Sequence, residues 1–313
     1  MWAFRILWVA APKLCRYECA MTRKGQGYLF TLLAVTIFAT QDGISKYLGT
    51  HYSPILITMI RYWVFAAFVL LLAIRSGGIA KAAATKRPFL QVFRGILLAA
   101  EIVTFIFALS RAGMATAQSI FQGAPLLVTM LSVPFLGEKV GWRRWTAIIV
   151  GLIGVLLIIN PVNATFDASL LLPVAAMVMF AVYAVATRAV SKSDDAMTSF
   201  FYTGIAGAVA LTFVGSFYLM PIARSDWFWM AALCACGIAS HYFLIRAYNI
   251  LEAGEVQPLT YLQLVIGACI AVTVFHEQLT WNIIAGAVIV VSAGLFSVFR
   301  ERQLGKRNPP ALG

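Results

Sequence analysis

The sequence predicts an all-α integral membrane protein, with ten transmembrane helices arranged as two inverted-topology five-helix repeats. Three observations carry this prediction: an apolar composition, a one-sided distribution of Lys and Arg, and an internal repeat. Of the 313 residues, 61% are hydrophobic and 12% are charged, whereas soluble domains carry about 25% charged residues. The apolar runs are continuous, unlike the alternating pattern of a transmembrane β-barrel. We therefore expect helices whose apolar surface faces lipid.

Ten apolar runs are long enough to cross a bilayer, since a spanning helix needs roughly 20 mostly apolar residues. The predicted spans are 28–46, 54–74, 89–110, 115–136, 142–160, 169–188, 196–220, 227–248, 254–275 and 281–299. They form a first repeat over 28–160 and a second over 169–300, joined by a periplasmic linker over 161–168. Basic tails, 1–27 and 301–313, flank the repeats. Within the first tail, Met1–Ala20 is interpreted as an upstream extension, with Met21 as the start of translation.

The net charge of +12 reflects membrane topology and not nucleic-acid binding, because Lys and Arg lie in short loops and tails. Eighteen of the 24 Lys and Arg fall on one side of the predicted membrane, three (Lys46, Arg111 and Arg224) on the other, and three within spans. A basic excess marks the cytoplasmic side. Both termini are therefore expected in the cytoplasm, with the chain spanning a bacterial inner membrane.

A shift of 139 residues aligns the ends of the two halves without a gap. It pairs Ala108 with Ala247, Gln118 with Gln257, Glu138 with Glu277, and Trp142 with Trp281. Because each half has an odd number of helices, the second half is expected to insert upside down relative to the first. Inverted repeats are a recurring feature of secondary transporters, whose substrate site lies between the two halves.

These features resemble the drug/metabolite transporter superfamily, with two EamA-type repeats over roughly 28–300. The resemblance rests on the Glu-containing turns Gly137-Glu138 and His276-Glu277, each followed by a Trp. It also rests on the Pro-bearing fourth and ninth helices (Pro125, Pro258) and on the Gly-rich last helix of each half. It implies a ten-helix fold with a central cavity and cytoplasmic termini. His276 stands where the family usually has Gly. The superfamily includes amino-acid exporters, drug exporters, and importers of vitamins and nucleotide-like metabolites, so membership does not choose the cargo.

Ionisable side chains within spans are functional candidates because they are costly to place in a membrane. Asp42 and Lys46 share a face of the first helix, and Arg61 lies at comparable depth in the second. The three are expected to form an ion-paired layer that closes the cavity on the outside; the alternative is that Lys46 snorkels and Asp42 caps it. Arg94 and Arg246 are expected to snorkel from cytoplasmic helix ends.

Glu101 and His241 are the leading candidates for a proton relay or a polar contact with the substrate. The shift of 139 residues places Glu101 opposite Ser240, the neighbour of His241, in the repeat-related third and eighth helices. The competing interpretation for His241 is a buried imidazole that bonds a backbone carbonyl.

Polar uncharged residues cluster in the fourth and ninth helices, where a proline in each frees a backbone carbonyl. These residues are expected either to bind substrate or to join helices: Gln118, Gln122, Gln257, Tyr261 and Gln263. Glu138 and Glu277 are predicted to be structural, accepting hydrogen bonds from amides at the starts of the fifth and tenth helices.

Together these features predict a secondary transporter that moves a small polar organic metabolite by alternating access, without a cofactor. No phosphate-binding loop is present to use ATP, so proton coupling and facilitated exchange both remain open. A membrane enzyme would need clustered His, Asp or Glu, and the three His are scattered; a channel would need a selectivity filter. The expected partners are the lipid bilayer, the metabolite and protons, with a homodimer left open. An amino acid, a drug-like compound, a riboflavin-type vitamin and a nucleotide-like metabolite are all candidate cargoes.

Overall fold

The computed structural model describes residues 23–137, 140–160, 167–248, 250–251 and 253–307. Long helices dominate these residues, and two of them are interrupted. In chain order the helices of eight or more residues are α1 Arg23–His51, α2 Pro54–Arg75, α3 Pro88–Arg111, α4a Met114–Phe121, α4b Ala124–Leu136, α5 Trp142–Ile159, α6 Leu171–Val190, α7 Ala196–Gly215, α8 Asp226–Tyr248, α9a Ala253–Thr260, α9b Leu262–Thr273 and α10 Trp281–Arg307. The predicted extension before Met21, and Glu138, lie outside the described residues.

Nine helices in the described part of the chain are long and apolar enough to cross a membrane, with α4a and α4b counted as one. The remaining predicted span, 254–275, is shorter as an apolar helix and covers Pro258–Thr273. Its hydrophobic run is divided between α9a and α9b.

The interruptions of α4 and α9 lie at related positions of the two repeats. The first follows Phe121, at Gln122 and Gly123, and the second falls at Tyr261, which is 139 residues beyond Gln122. Pro125 lies in the first turn of α4b, where its missing N–H costs nothing. Pro258 lies inside α9a. Both helices are therefore interrupted close to their prolines, although Pro125 begins a helix and does not bend one. That either proline frees a carbonyl for the substrate stays a prediction.

The helix pairs follow the repeat: the main contacts between two helices have counterparts between the repeat-related helices. α1 packs on α8 as α3 packs on α6, α9b packs on α1 as α4b packs on α6, and α2–α7 and α5–α10 pair across the halves. At the α5–α10 crossing, Gly154 and Gly286 bring the backbones so close that a Cβ on Gly154 would meet the Gly286 carbonyl oxygen at 3.0 Å. The Gly-rich last helices thus serve close packing, as predicted.

Hydrogen bonds at the connections between helices also follow the repeat. The Tyr52 hydroxyl, just before α2, donates to Asp226 Oδ2 at the start of α8 over 2.6 Å. In the other half, Asp194, just before α7, accepts from Gln91 Nε2 near the start of α3 over 2.9 Å. Each half therefore anchors the beginning of the other half's third helix. Between these two ends, the bundle leaves space for the candidate site.

Candidate functional site

A cavity of about 360 Å³ lies inside the bundle, and seven of the ten predicted site residues line it. The predicted residues in its wall are Asp42, Arg61, Glu101, Gln118, Gln122, His241 and Gln263. They come from α1, α2, α3, α4a, α8 and α9b and from the α4 interruption, so residues far apart in sequence converge on one space. Its size is within the range of small-molecule binding sites, roughly 300–1,000 Å³.

Two amides hold Asp42 in the wall of this central cavity. Gln118 Nε2 and Gln263 Nε2 each donate to Asp42 Oδ2 over 2.9 Å. The carboxylate side chain is buried, and charged groups are buried only when polar partners compensate the loss of water. The side chain of Gln118 lies directly against Gly267 in α9b, where any Cβ would overlap its amide. Gly267 therefore gives Gln118 the room to reach Asp42.

Glu101 is 4% exposed and has no hydrogen bond to the residues that the structure describes. It interacts electrostatically with Asp42 and with Arg61. Arg61 lines the same cavity and interacts with both carboxylates, again without a hydrogen bond to a described residue. The central cavity thus contains two carboxylates and one guanidinium, and of the three only Asp42 is held by hydrogen bonds to described residues.

His241 combines the two interpretations that the sequence allows. Its Nδ1 lies 2.8 Å from the Gly237 carbonyl oxygen, and Phe38 packs edge-on against its ring at 5.2 Å. Because a carbonyl only accepts, Nδ1 carries the proton, which leaves Nε2 as an acceptor. The ring also lines the cavity. A backbone-bonded imidazole therefore still faces the site.

The predicted ion-paired layer is wrong for Lys46. Lys46 pairs with Glu277, not Asp42, and its Nζ lies 4.3 Å from the centre of the Phe275 ring. Glu277 also accepts from the Met114 and Ala115 amides over 2.7 and 3.0 Å. Those two amides start α4a, so Glu277 has the predicted amide-capping role at the fourth helix and not at the tenth. The carboxylate that pairs with Lys46 therefore comes from the connection between α9b and α10 and not from its own helix.

A second cavity of about 630 Å³ adjoins the first and shares Arg61, Leu98, Ile102 and His241 with it. It lies among α2, α3, α6, α7 and α8 and extends to the α6–α7 connection at Ser191, Asp194 and Asp195. We call it the vestibule.

Arg94 lies in the wall of the vestibule, and the expectation that it snorkels is wrong. It is 2% exposed and donates five hydrogen bonds, to Gln91 Oε1, the Ser199 carbonyl, Thr187, Thr203 and Tyr183, over 2.7–3.3 Å. A planar guanidinium can satisfy several acceptors at fixed angles, which makes burial affordable without a carboxylate partner. Sequence reasoning located this arginine in a span but could not foresee its acceptors, which come from three helices.

Asp194 continues this network at the edge of the membrane. Burial raises the pKa of its carboxyl group, but hydrogen bonds from Thr85, Gln91 and the Lys86 amide outweigh burial and hold the pKa below its ordinary value. The group is therefore an ionised acceptor at neutral pH. It fixes the α2–α3 connection against the α6–α7 connection.

An aromatic ladder that sequence reasoning missed joins the two cavities. The ring centres of Phe105 and Phe121 are 4.6 Å apart, those of Phe121 and Phe180 are 5.4 Å apart, and those of Phe180 and Tyr183 are 6.2 Å apart. The three phenylalanines line the central cavity and Tyr183 lines the vestibule. Their spacing in sequence carries no signal, because the rings come from three separate helices.

Three predicted residues remain: Lys46, which pairs with Glu277 as described above, Tyr261, which lines neither cavity, and Gln257. Tyr261 is 6% exposed, and its hydroxyl packs against Gly294 of α10. Gln257 belongs to α9a, but its side chain lies outside the described part of the structure. Gln41, which was not predicted, lines the central cavity next to Asp42.

Comparison with known proteins agrees with this architecture. The EamA-like transporter family matches this chain twice, over residues 25–160 and 168–299. The chain belongs to this family. The two matches confirm the internal repeat, and this EamA-like protein is a membrane transporter of small metabolites and not an enzyme.

Relatives of this EamA-like transporter differ in their cargo. An S-adenosylmethionine uptake transporter of Rickettsia prowazekii is 30% identical over 285 residues, covering 88% of this chain and 94% of the relative. A riboflavin transporter of Vibrio cholerae is 25% identical over 298 residues, covering 90% and 96%. A crystal structure with 20% identity and a TM-score of 0.56 covers 90% of this chain and 98% of its own, and it shows a shared fold only.

Proposed function

We propose that this protein is a secondary transporter that moves a small polar organic metabolite across the bacterial inner membrane by alternating access. The observation that carries the proposal is the central cavity, where Asp42, Glu101 and Arg61 converge inside an apolar bundle. Charged groups at that depth are costly and are retained where they serve a substrate or an ion. The cavity and the vestibule together give a route that leads from the bundle interior to one end.

Two inverted five-helix repeats, ten spans in all, are part of this proposal. The exchange of helix contacts between the halves supports it, as do the interruptions at Gln122 and Tyr261. In carriers of this kind, broken helices at the repeat interface form the substrate site. We place both termini in the cytoplasm on the basis of the Lys and Arg asymmetry.

With that orientation, the vestibule is the cytoplasmic entrance, and the opposite end is closed. The α6–α7 connection, which bounds the vestibule, carries Lys192 and lies on the basic side. At the other end, Lys46–Glu277 joins α1 to the α9b–α10 connection, and Asp226 accepts from Tyr47 and Tyr52. The described conformation is therefore inward-facing in this proposal, and these contacts must separate when the outside opens.

We propose S-adenosylmethionine as the first cargo to test, with proton coupling. It combines the amino-acid and nucleotide-like classes, it is the cargo named for the relative at 30% identity, and the cavity offers carboxylates and aromatic rings to a cationic, ring-bearing molecule. Asp42 and Glu101 are the buried carboxylates available to bind and release a proton.

Proteoliposomes that contain the purified protein test this proposal. Saturable uptake of radiolabelled S-adenosylmethionine, raised by an imposed pH gradient and competed by the unlabelled compound, is the expected result. Uptake of riboflavin alone would reject the cargo and retain the carrier, whereas an absence of saturable uptake for both compounds would reject the carrier itself. Uptake that ignores the pH gradient would reject proton coupling.

A further inference from the structure

The unsatisfied polar groups of the central cavity are hydrogen-bond acceptors. Both amides at Asp42 donate to Oδ2, so its Oδ1 receives no hydrogen bond from the described residues. The Gln118 carbonyl oxygen is also buried and unpaired, but it packs against Gly267 of α9b and does not face the cavity. Its orientation is fixed, because only the amide nitrogen can donate to a carboxylate. Gln41 Oε1, at the same wall, is likewise buried and unpaired.

Glu101 and His241 provide two more hydrogen-bond acceptors that have no donor among the described residues. The Glu101 carboxylate faces the cavity with no donor among the described residues. The tautomer of His241 that bonds Gly237 leaves Nε2 as an acceptor. Buried acceptors without donors are costly, and native proteins satisfy them with water or with a ligand. A ligand that completes this wall must therefore bring several donors, as an ammonium group does.

Arg61 supplies the opposite charge at the neck between the two cavities. Among the residues described, it is the guanidinium that lines both the central cavity and the vestibule. It lacks a hydrogen bond to a described acceptor, so its N–H groups are free to bind a carboxylate from either side. The acceptors can bind an ammonium group and the guanidinium can bind a carboxylate, so together they match the two charges of an amino acid.

The aromatic ladder leads from this point into the vestibule. Phe121 and Phe180 stand beside the central cavity, Tyr183 stands in the vestibule, and Arg94 stacks on Tyr183 at 5.2 Å. Tyr62, also in the vestibule wall, has a buried hydroxyl without a partner. Rings can stack a planar aromatic body, and the free phenol can bond a hydroxyl on it.

We infer that the two cavities form one bipartite site for an α-amino acid with a large aromatic, hydroxyl-bearing substituent. The ammonium group binds the acceptor wall at Asp42 and Glu101, the carboxylate binds Arg61, and the substituent extends past the aromatic ladder to Tyr183 and Tyr62 in the vestibule. This inference rests on the proposed transport function and names the substrate class of the same site.

Competition binding on the purified full-length protein tests it, with three probes that share one aromatic body. S-adenosylmethionine and S-adenosylhomocysteine carry the amino-acid group, and 5′-methylthioadenosine lacks it. We expect the first two to bind at least about tenfold more tightly than the third. The loss of a single charge-assisted contact lowers affinity by about that factor. Equal binding of all three, or no binding of the first two, would overturn the inference. Saturable riboflavin uptake under that outcome would leave the carrier function standing.

Two variants separate a binding role from a structural one. Glu101→Gln is isosteric and should weaken binding of S-adenosylmethionine by about tenfold while leaving 5′-methylthioadenosine within about twofold. Arg61→Gln should erase the preference for S-adenosylmethionine over its decarboxylated form. Asp167→Asn, which removes a carboxylate from an exposed connection, is the control for both. If Glu101→Gln weakens binding of S-adenosylmethionine and of 5′-methylthioadenosine equally, or weakens neither, Glu101 does not bind the ammonium group.

Discussion

At the scale of single residues, Gly267 is the position whose substitution tests the site without changing its chemistry. A methyl group there overlaps the Gln118 amide, so Gly267→Ala must push Gln118 away from Asp42. We expect transport to fall by about tenfold, because a buried carboxylate would lose one of its two donors. The measurement is uptake normalised to folded protein in the membrane.

Gly141→Ala is the matched control, because a Cβ there meets nothing within 4 Å. It should leave transport unchanged. Normal uptake by Gly267→Ala would show that Gln118 does not set the state of Asp42.

His276 adopts a backbone conformation that suits glycine. Its φ is 54°, a left-handed value that costs a non-glycine residue about 1 kcal/mol, and more when the side chain is β-branched. His276→Gly should therefore preserve or slightly raise the melting temperature, whereas His276→Val should lower it. Melting of the detergent-solubilised protein measures both, and a lower melting temperature for the glycine variant would contradict the strain argument.

At the scale of helices, Glu277 performs two tasks where Lys46 performs one. Glu277 pairs with Lys46 and also caps the first amides of α4a. Glu277→Ala should therefore destabilise the protein more than Lys46→Ala, by about 1 kcal/mol, the usual worth of a helix cap. Thermal melting of the two single variants and the double variant measures the difference.

The double variant supplies the check on that assignment. If the pair and the cap are separate contributions, Lys46→Ala should cost little once Glu277 is already Ala. Equal losses for the two single variants would mean that the cap contributes nothing beyond the ion pair.

The sequence predicts helices and their polar faces more securely than it predicts partners. Apolar runs and polar positions such as Asp42, Glu101 and Gln118 are local signals, and the structure places these three together. The partner of Lys46 and the acceptors of Arg94 depend on which helices become neighbours, information that no local pattern carries. The interruption at Gln122 and Gly123 is likewise not predicted by the sequence, because Pro125 begins the helix that follows it.

At the scale of the whole molecule, the two halves repeat one plan with different chemistry. The shared plan is seen in the helix pairs and in the anchored starts of α3 and α8. The chemistry differs because Asp42 and Glu101 are both in the first half. A site built mostly on one repeat can distinguish two ends of an asymmetric cargo while the scaffold remains nearly symmetric.

Inversion of the halves makes a prediction about two related positions. In the first helix of each half the repeat aligns at a shift of 142 residues, which pairs Phe38 with Phe180 and Lys46 with Arg188. Thr50, at the end of α1, and Lys192, just after α6, correspond under this shift and are both exposed. If the repeats are inverted, these positions lie on opposite sides of the membrane, because an odd number of spans separates them. In a cysteine-free background, Thr50→Cys should react with a membrane-impermeant maleimide in intact cells, whereas Lys192→Cys should react only after permeabilisation. Labelling of both from the same side would mean parallel halves, and the closed end at Lys46 and Glu277 could then no longer be assigned to the outside.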